Sequence, residues 1–313
     1  MKDKSAINLR KSMGRGSVEH ETNVFEHEGD IMTLAKKKVI SIPPSTSIIE
    51  AAETMVKHKF RRLPITDPGS EKLLGIVTAM DILNFLGGGD KFNIMEEKYH
   101  DNFLAAINEH VKEIMTRDIR FMRNKDSIND CIEVMLAHDV GALPVVNDNN
   151  KVVGIVTERD FALTMAGILT DELVEDFMTK NVITTTPGTP IESSSKIMVR
   201  NKLRRIPILG KELESSNPEE EKLVGIVTSN DVLKFLGDSE LFSKMRSGSG
   251  LEILNTKSSE IMERNVCTVG PLTRVGDLCE LLNKKDIGGV PVIKDGKLLG
   301  IITESDVLKA IHK

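Results

Sequence analysis

The chain is poor in the residues that build several common kinds of site. It has 313 residues but only three cysteines, one tyrosine and no tryptophan. Cys131, Cys267 and Cys279 lie outside any C-x-x-C spacing, which argues against a disulfide framework and a cysteine-based zinc site. The scarcity of aromatic residues argues against stacking platforms for single-stranded nucleic acid.

Long apolar runs and an excess of basic charge are also absent. No apolar run approaches the ~18–20 residues of a membrane-spanning helix, and the first residues lack the apolar core of a signal peptide. Lys+Arg total 42 and Asp+Glu total 47, for a net charge of −5. That balance gives no basic footprint for nucleic acid or an anionic membrane. The composition therefore predicts a soluble, cytoplasmic protein without a membrane partner.

Three short strings recur four times in the same order. The last string reads GIVTAMD, GIVTERD, GIVTSND and GIITESD. Before it stand RRLPI, GALPVV, RRIPI and GGVPVI, and further upstream stand DIMTLAKKKVISI, EIMTRDIRFM, DFMTKNVITT and EIMERNVCTV. Repeats 1 and 3 share an arginine doublet, whereas repeats 2 and 4 carry glycine there. This alternation indicates a duplicated module with two unequal halves.

Each repeat is predicted to run strand, helix, strand, strand, helix. In repeat 1 the helices are predicted at Ser47–His58 and Ala79–Leu86, and the paired strands at Leu63–Ile65 and Leu74–Val77. The opening strands are predicted at Val39–Ile42, Ile119–Met122, Val182–Thr185 and Val266–Val269. We therefore expect an α/β fold of mixed α+β type, with the four repeats packed as two pseudo-symmetric pairs.

Segments outside the repeats divide the chain. We expect a mobile N-terminal arm at residues 1–30, a linker containing a helix at 88–111 and a flexible linker at 238–257. The predicted repeats occupy residues 31–87, 112–166, 175–237 and 258–312.

The T-x-x-D string admits two interpretations. A threonine followed by an acidic residue three positions later is a capping box, which needs no ligand. Such boxes favour the longer glutamate, whereas all four copies here use aspartate, which hints at another role. A helix N-terminus attracts phosphate, and a carboxylate there can bind vicinal hydroxyls. From the residues alone both interpretations stay open.

The four strings resemble the CBS domain, named for cystathionine β-synthase, and two repeats in tandem resemble a CBS pair, or Bateman module. The resemblance covers most of the chain, and the layout is similar to that of the γ subunit of AMP-activated protein kinase. It implies a regulatory protein without catalytic residues that binds adenosine-containing ligands such as AMP, ADP, ATP or S-adenosylmethionine between paired repeats. Mg²⁺ would accompany a triphosphate, and no dedicated metal site is visible.

The resemblance also implies roles for individual residues. The ribose would be bound by Asp81, Asp160, Asp231 and Asp306. The ribose or phosphate would be bound by Thr78, Thr157, Thr228 and Thr303. Basic residues before the first paired strand would bind phosphate, namely Arg61, Arg62, Arg204 and Arg205. The adenine pocket would include Ile42, Ile76, Ile155, Thr184, Ile226 and Ile301.

Repeats 2 and 4 depart from the basic pattern. They carry Gly141-Ala142 and Gly288-Gly289 in place of the arginine doublets. Either the arginine of the partner repeat reaches across the pair into the space that glycine leaves, or these clefts prefer a less charged adenosyl ligand. Both alternatives predict that the two clefts of a pair are unequal.

The sequence thus predicts a sensor that relays ligand occupancy to an unidentified protein partner, in a chain that could also form a homodimer. Three other classes compete with it. An assembly module would use T-x-x-D only to cap helices. An enzyme would need a nucleophile–base pair, a metal set or a phosphate-transfer loop, and none is found. A nucleic-acid-binding protein would use the basic residues of the arm, and the negative net charge of the chain argues against it.

Overall fold

Four copies of one structural unit build the chain. A computed structural model describes residues 30–99, 102–166, 171–211, 221–237 and 254–312. Most of the predicted N-terminal arm and of the 238–257 linker lies outside the described residues. Within the part that is described, no helix combines the length and the apolar character needed to cross a membrane.

Repeat 1 contains a short helix, a longer helix, a strand hairpin and a closing helix. These elements are α1 (Ile31–Leu34), α2 (Ile48–His58), β1 (Arg62–Thr66), β2 (Leu73–Thr78) and α3 (Ala79–Leu83). A capping box between Ser47 and Glu50 starts α2, and Lys59 ends it in the left-handed region at φ 55°. A π-helical turn, Asn84–Gly88, continues α3. Two linker helices follow, α4 (Phe92–Tyr99) and α5 (Phe103–Ile107).

The other three repeats follow the same order. Repeat 2 opens with a 3₁₀ turn (Val111–Glu113) and contains β3 (Met122–Arg123), α6 (Ile128–His138), β4 (Ala142–Val146), β5 (Val152–Thr157) and α7 (Glu158–Thr164). Repeat 3 contains α8 (Val174–Phe177), α9 (Ile191–Arg200), β6 (Arg205–Lys211), β7 (Glu221–Thr228) and α10 (Ser229–Leu236). Repeat 4 contains α11 (Ser258–Ile261), α12 (Val275–Lys285), β8 (Gly289–Lys294), β9 (Lys297–Thr303) and α13 (Glu304–Ile311).

The paired strands and both main helices of each repeat lie where they were predicted, but the opening strand is shorter. It is a two-residue parallel strand in repeat 2, where Met122 pairs with Val145. In the other repeats it is a single parallel bridge, such as Ile42 with Ile65. The Ile42 N–H donates to the Pro64 carbonyl, and the Ile42 carbonyl accepts from the Thr66 N–H. These two hydrogen bonds form the single bridge.

Reciprocal backbone bridges join the two repeats of each pair. Thr116 of repeat 2 pairs with Ile76 of β2, and Lys36 of repeat 1 pairs with Ile155 of β5. Repeats 3 and 4 exchange the equivalent bridges, Thr179 with Ile301 and Glu263 with Ile226. The exchange gives each pair its approximate two-fold symmetry.

The two pairs pack on each other through their helices. Helices α2 and α3 of repeat 1 contact α10 of repeat 3, and α7 of repeat 2 contacts α13 of repeat 4. One apolar core therefore runs through repeats 1 and 3, with Leu83 and Leu233 fully buried in it. Burying helix faces against the other pair solves the problem that one repeat is too small to cover its own apolar surface.

The glycine of the G-h-h-T string is required where the partner repeat comes close. A Cβ at Gly75 would lie 2.7 Å from the Thr116 carbonyl oxygen, which is fixed by the bridge to Ile76. At Gly154 the nearest atom would be the Ala35 Cβ at 3.1 Å, and the next would lie at an ordinary 3.6 Å. The two glycines hold equivalent positions in the motif, but Gly75 has less space for a side chain than Gly154.

We expect Gly75→Ala to lower the free energy of unfolding by about 2 kcal/mol, because overpacking against backbone costs ~1–3 kcal/mol. Gly154→Ala should cost less than about 1 kcal/mol, since its neighbour needs to move only slightly. Urea unfolding of both variants measures the difference. Equal losses would show that the close approach to Thr116 does not decide the cost.

Candidate functional site

Two cavities lie between the repeats of the first pair. The smaller one, about 410 Å³, is lined by Ile76, Thr78 and Asp81 of repeat 1 and by Ile119 and Pro144 of repeat 2. Each wall combines apolar surface with a few polar groups, which is typical of small-molecule sites.

The larger cavity, about 580 Å³, uses the same elements with the repeats exchanged. Repeat 2 supplies Ile155 and Thr157, and repeat 1 supplies Val39, Ile40 and Pro64. The pseudo-two-fold axis of the pair therefore relates the two cavities. Both volumes are within the range of about 300–1,000 Å³ found for ligand pockets.

The T-x-x-D residues cap helices in all four repeats. In repeat 1 the Oδ2 atom of Asp81 accepts hydrogen bonds from Thr78 N at 2.8 Å and from Thr78 Oγ1 at 2.7 Å. The Oδ2 atoms of Asp160, Asp231 and Asp306 accept the same two bonds from their threonines. Aspartate thus reaches the N-cap backbone, so its short length is no evidence against capping. The capping interpretation is therefore correct for the Oδ2 atom of each aspartate.

The second carboxylate oxygen of each aspartate is left for another partner. It faces a lysine ammonium in every repeat. The pairs are Asp81 with Lys91, Asp160 with Lys36 at 3.0 Å, Asp231 with Lys234 at 3.9 Å and Asp306 with Lys309 at 3.1 Å. An atom that accepts from a mobile ammonium group is able to accept from a ligand hydroxyl instead.

The arginine doublets lie where the cavities and the two pairs meet. Arg61 and Arg62 line both cavities, and Arg204 of the second pair lines the smaller one. Arg205 lines neither of these two cavities, and its guanidinium donates to the Gly288 carbonyl. Three of the four predicted phosphate ligands are therefore gathered around the first pair.

The glycines of repeats 2 and 4 make room for arginines of other repeats. A Cβ at Gly141 would lie 2.3 Å from Arg204 Nη2, and a Cβ at Gly288 would lie 2.3 Å from Arg61 Nη2. Both arginines come from the opposite pair. Arginine thus fills the space at these two glycines, but it comes from the opposite pair rather than from the partner repeat of the same pair. At Gly289 the arginine nearest to an added Cβ is Arg205, which is of the same pair, as predicted.

Reciprocal ion pairs connect the two CBS-like pairs at these points. Repeats 1 and 3 supply the cations, and repeats 2 and 4 supply the anions. The contacts are Arg61 to Glu304 at 3.0 Å, Arg204 to Glu158 at 2.8 Å, Lys59 to Asp286 at 3.1 Å and Lys202 to Asp139 at 3.4 Å. Lys59, Asp139 and Asp286 directly follow their helices, Lys202 lies two residues after its helix, and each glutamate follows the motif threonine. The same charge pattern thus occurs twice.

Burial separates the strong pairs from the weak ones. The side chains of Glu158 and Glu304 are 7% and 4% exposed, whereas Lys202 and Asp139 are 79% and 72% exposed. Exposed ion pairs contribute ~0–1 kcal/mol. Burial raises the pKa of Glu304, but the charges of Arg61 and Arg159 outweigh it and hold that pKa below the ordinary value. Burial likewise raises the pKa of Glu158, but the charge of Arg204 outweighs it, so this pKa is also lowered.

These depressed pKa values predict acid sensitivity. Because the carboxylates titrate below their ordinary value of 4.5, their contribution to stability is complete above that pH and is lost as the pH falls through the folded pKa. Glu304→Gln should therefore show a shallower loss of unfolding free energy between about pH 5 and pH 3 than the wild-type chain. Urea titrations across that range measure the slope. An unchanged slope would mean that Glu304 does not titrate differently on folding.

Arg62, like Arg205, has no carboxylate within 4 Å among the described residues, whereas Arg61 and Arg204 each have one. Burial, followed by the charges of Arg204 and Arg61, lowers the pKa of Arg62 to about 9. The group still carries its charge at neutral pH, in surroundings that disfavour it. An anion in either cavity would relieve this repulsion.

The predicted adenine-pocket residues fall into two groups. Ile76 and Ile155 line the cavities of the first pair. Ile226 and Ile301 occupy the equivalent strand positions in the second pair, and Thr184 is half-buried near its opening segment. Ile42 lies in the apolar core at 7% exposure, and Val39 and Ile40 line the larger cavity in its place. Ile42 is therefore a core residue and is not among the lining residues of either described cavity.

Several side chains of the site were not predicted from the sequence, among them Glu158, Glu304, Arg159 and Asn230. Glu158 and Glu304 follow the threonine of T-x-x-D in repeats 2 and 4 only, and this alternation with the glycines was the signal. Arg159 and Asn230, which line the larger cavity, gave no signal because their position depends on how the pairs dock. Among the described residues no cluster of His, Cys, Asp or Glu could hold a metal ion.

Comparison with known proteins agrees with the repeat structure. The family profile of the CBS domain matches residues 29–88, 111–167, 174–238 and 259–313. The uncharacterized protein MJ1225 of Methanocaldococcus jannaschii is 39% identical over 282 residues, which cover 89% of this chain and 98% of that protein. An uncharacterized 33.4 kDa protein of Thermofilum pendens is 29% identical and is covered over 87% of both chains.

Solved structures give the same fold. The crystal structure of MJ1225, described as a candidate archaeal homolog of γ-AMPK, superimposes with a TM-score of 0.82 over 90% of this chain and 99% of that one. An uncharacterized conserved protein of Pyrococcus horikoshii, 21% identical, has a TM-score of 0.57 over 90% of this chain and 99% of its own. The arrangement of four repeats is thus shared over nearly the whole length.

Proposed function

This chain belongs to the CBS-domain family, and we propose that it is a non-catalytic sensor of adenosine-containing ligands. The ligands, such as AMP, ADP, ATP or S-adenosylmethionine, would occupy the clefts between paired repeats, and a protein partner would respond to their occupancy.

One observation carries the proposal. In the smaller cavity the outward oxygen of Asp81, the apolar side chain of Ile76 and the guanidinium groups of Arg61, Arg62 and Arg204 surround one space. A nucleotide presents the matching chemistry, namely two vicinal hydroxyls, a flat apolar base and an anionic phosphate.

The ion pairs between the two CBS pairs offer a way to transmit binding. Arg61 binds Glu304 of repeat 4 and also lines both cavities of the first pair. A phosphate that attracted Arg61 would weaken its bond to Glu304, so binding would alter the contact between the pairs. Such a shift needs only that the ligand binds one arrangement more tightly than the other.

A second function is supported by the capping geometry. If the aspartates only cap helices, the chain is an assembly module, and its ion pairs hold four repeats in one rigid unit for a protein partner. This candidate predicts no binding of any adenosyl compound.

Isothermal titration of the nucleotide-stripped protein with AMP, ADP, ATP and S-adenosylmethionine tests the proposal. We expect saturable binding of at least one compound. The absence of binding by all four, in a chain with normal circular dichroism, would refute the sensor and leave the assembly module.

A further inference from the structure

The lysines that face the four motif aspartates differ in how firmly they are held. Lys234 and Lys309 lie three residues after their aspartates on the same helices, and Lys36 reaches its aspartate from the partner repeat. These three side chains are each more than half exposed. Lys91, which reaches Asp81 from the linker, is only 26% exposed. Its ammonium group is therefore the most confined of the four.

The ammonium group of Lys91 has two acceptors, which belong to different repeats of the first pair. It donates to Asp81 Oδ1 of repeat 1 and to the Ile114 carbonyl of repeat 2. Ile114 lies two residues before Thr116, which lines the smaller cavity together with Asp81. Lys91 therefore joins the two repeats that form the smaller cavity.

The backbone of the linker fixes Lys91 close to Asp81. The Lys91 N–H donates to Asn84 Oδ1 at 2.9 Å, and the Gly89 N–H donates to the Asn84 carbonyl at 3.2 Å. The π-helical turn before them passes through Gly87, whose φ of 118° lies in the region that favours glycine. The chain thus folds back so that Lys91 meets the aspartate ten residues before it.

The acceptor sites of Asp81 are nearly all in use. A carboxylate has about four such sites, two on each oxygen. The Thr78 N–H and hydroxyl use both sites of Oδ2. The two hydroxyls of a ribose would therefore need both sites of Oδ1, and Lys91 already uses one of them.

We infer that Lys91 competes with the ligand for Asp81 and so regulates the occupancy of the smaller cavity. A ribose that donates both hydroxyls to Oδ1 has to displace the ammonium group. The observed affinity is then the intrinsic affinity reduced by the fraction of chains in which Oδ1 is free. The inference rests on the proposed function, and it assigns the linker a role in controlling one cleft.

Calorimetry with adenosine tests the competition, because adenosine carries the ribose without the charge of a phosphate. Lys91→Met should bind adenosine about tenfold more tightly than the wild-type chain, since the ligand no longer displaces a charged hydrogen-bond donor. The gain should disappear when Asp81→Ala is added to Lys91→Met, because the competition concerns that carboxylate.

Lys98→Met is the matched control. Lys98 belongs to α4 of the same linker, but its ammonium group contacts Glu109 and it lines neither of the two cavities. Its replacement should change the affinity for adenosine less than about twofold, because separate sites act independently.

Chemical labelling gives a second measurement that needs no variant. Saturating AMP should increase the acetylation of Lys91 by acetic anhydride, because an amine released from a carboxylate is more exposed and loses its proton more easily. Acetylation of Lys98 should stay constant. Mass spectrometry of the two peptides measures both. A lysine that bound the phosphate instead would be protected by AMP.

The outcomes separate the inference from the proposed function. If Lys91→Met did not gain affinity for adenosine, or if saturating AMP left the acetylation of Lys91 unchanged or lowered it, the inference would be overturned while adenosyl binding itself stands. If neither the wild-type chain nor Lys91→Met bound adenosine, AMP, ADP, ATP or S-adenosylmethionine, the proposed function would be overturned.

Discussion

Asp81→Ala is expected to weaken nucleotide binding in the smaller cavity about 100-fold. The outward Oδ1 of Asp81 is the carboxylate oxygen of that cavity that a ribose hydroxyl would meet, and hydrogen bonds to charged groups contribute ~1.5–3 kcal/mol each. Loss of two such bonds gives ~3 kcal/mol, which corresponds to a factor of about 100. Calorimetric titration of the variant with AMP measures it.

Removing Asp81 also removes a helix cap, so a control must separate the two roles. Asp130 forms the same capping box with Ser127, accepting from its N at 3.1 Å and its Oγ at 2.7 Å, but lines neither of the two cavities. Both variants should lose ~0.5–2 kcal/mol of stability. Only Asp81→Ala should lose affinity. If the two variants lost equal stability and bound AMP equally well, capping would be established as the sole role of Asp81.

Glu304→Ala is expected to destabilise the chain by ~3–5 kcal/mol, because removing one partner of a buried ion pair leaves uncompensated charge. Arg61 and Arg159 of the opposite pair both bind Glu304, and its removal leaves Arg61 without a carboxylate partner, whereas Arg159 keeps Asp286. The two pairs should therefore separate before the repeats unfold, which would appear as an additional transition in urea.

The matched control is an ion pair of the same type at the surface. Asp148 binds Lys125 at 2.8 Å, but both side chains are more than 70% exposed. Asp148→Ala should cost less than about 1 kcal/mol. A similarly small loss in Glu304→Ala would contradict the view that Glu304 holds the two pairs together.

The local elements were predictable because their signals are local. Ser47 and Glu50 begin α2, and short apolar or β-branched runs mark β1 and β2. The four aspartates likewise share one geometry because the motif creates its own capping box. What sequence reasoning missed locally is the extent of the opening strand, which in repeat 1 is a single bridge from Ile42 to β1.

The cavities could be predicted only in part for a different reason. Ile76, Thr78 and Asp81 belong to one motif, so their convergence follows from one strand and one helix. Arg159 and Asn230 are 71 positions apart in sequence, and only the docking of the two pairs brings them to one wall. The glycine-for-arginine exchange indicated that an arginine of the same pair would reach into repeats 2 and 4, whereas the nearest arginines at Gly141 and Gly288 come from the opposite pair.

The crystal structure of the chain grown with saturating AMP tests the central claim most directly. We predict that the ribose hydroxyls lie within hydrogen-bond distance of Asp81 Oδ1, with Lys91 displaced from it, and that the phosphate contacts Arg61, Arg62 or Arg204. The account would be contradicted if both described cavities contained no nucleotide at saturating AMP, or if AMP bound away from every T-x-x-D aspartate.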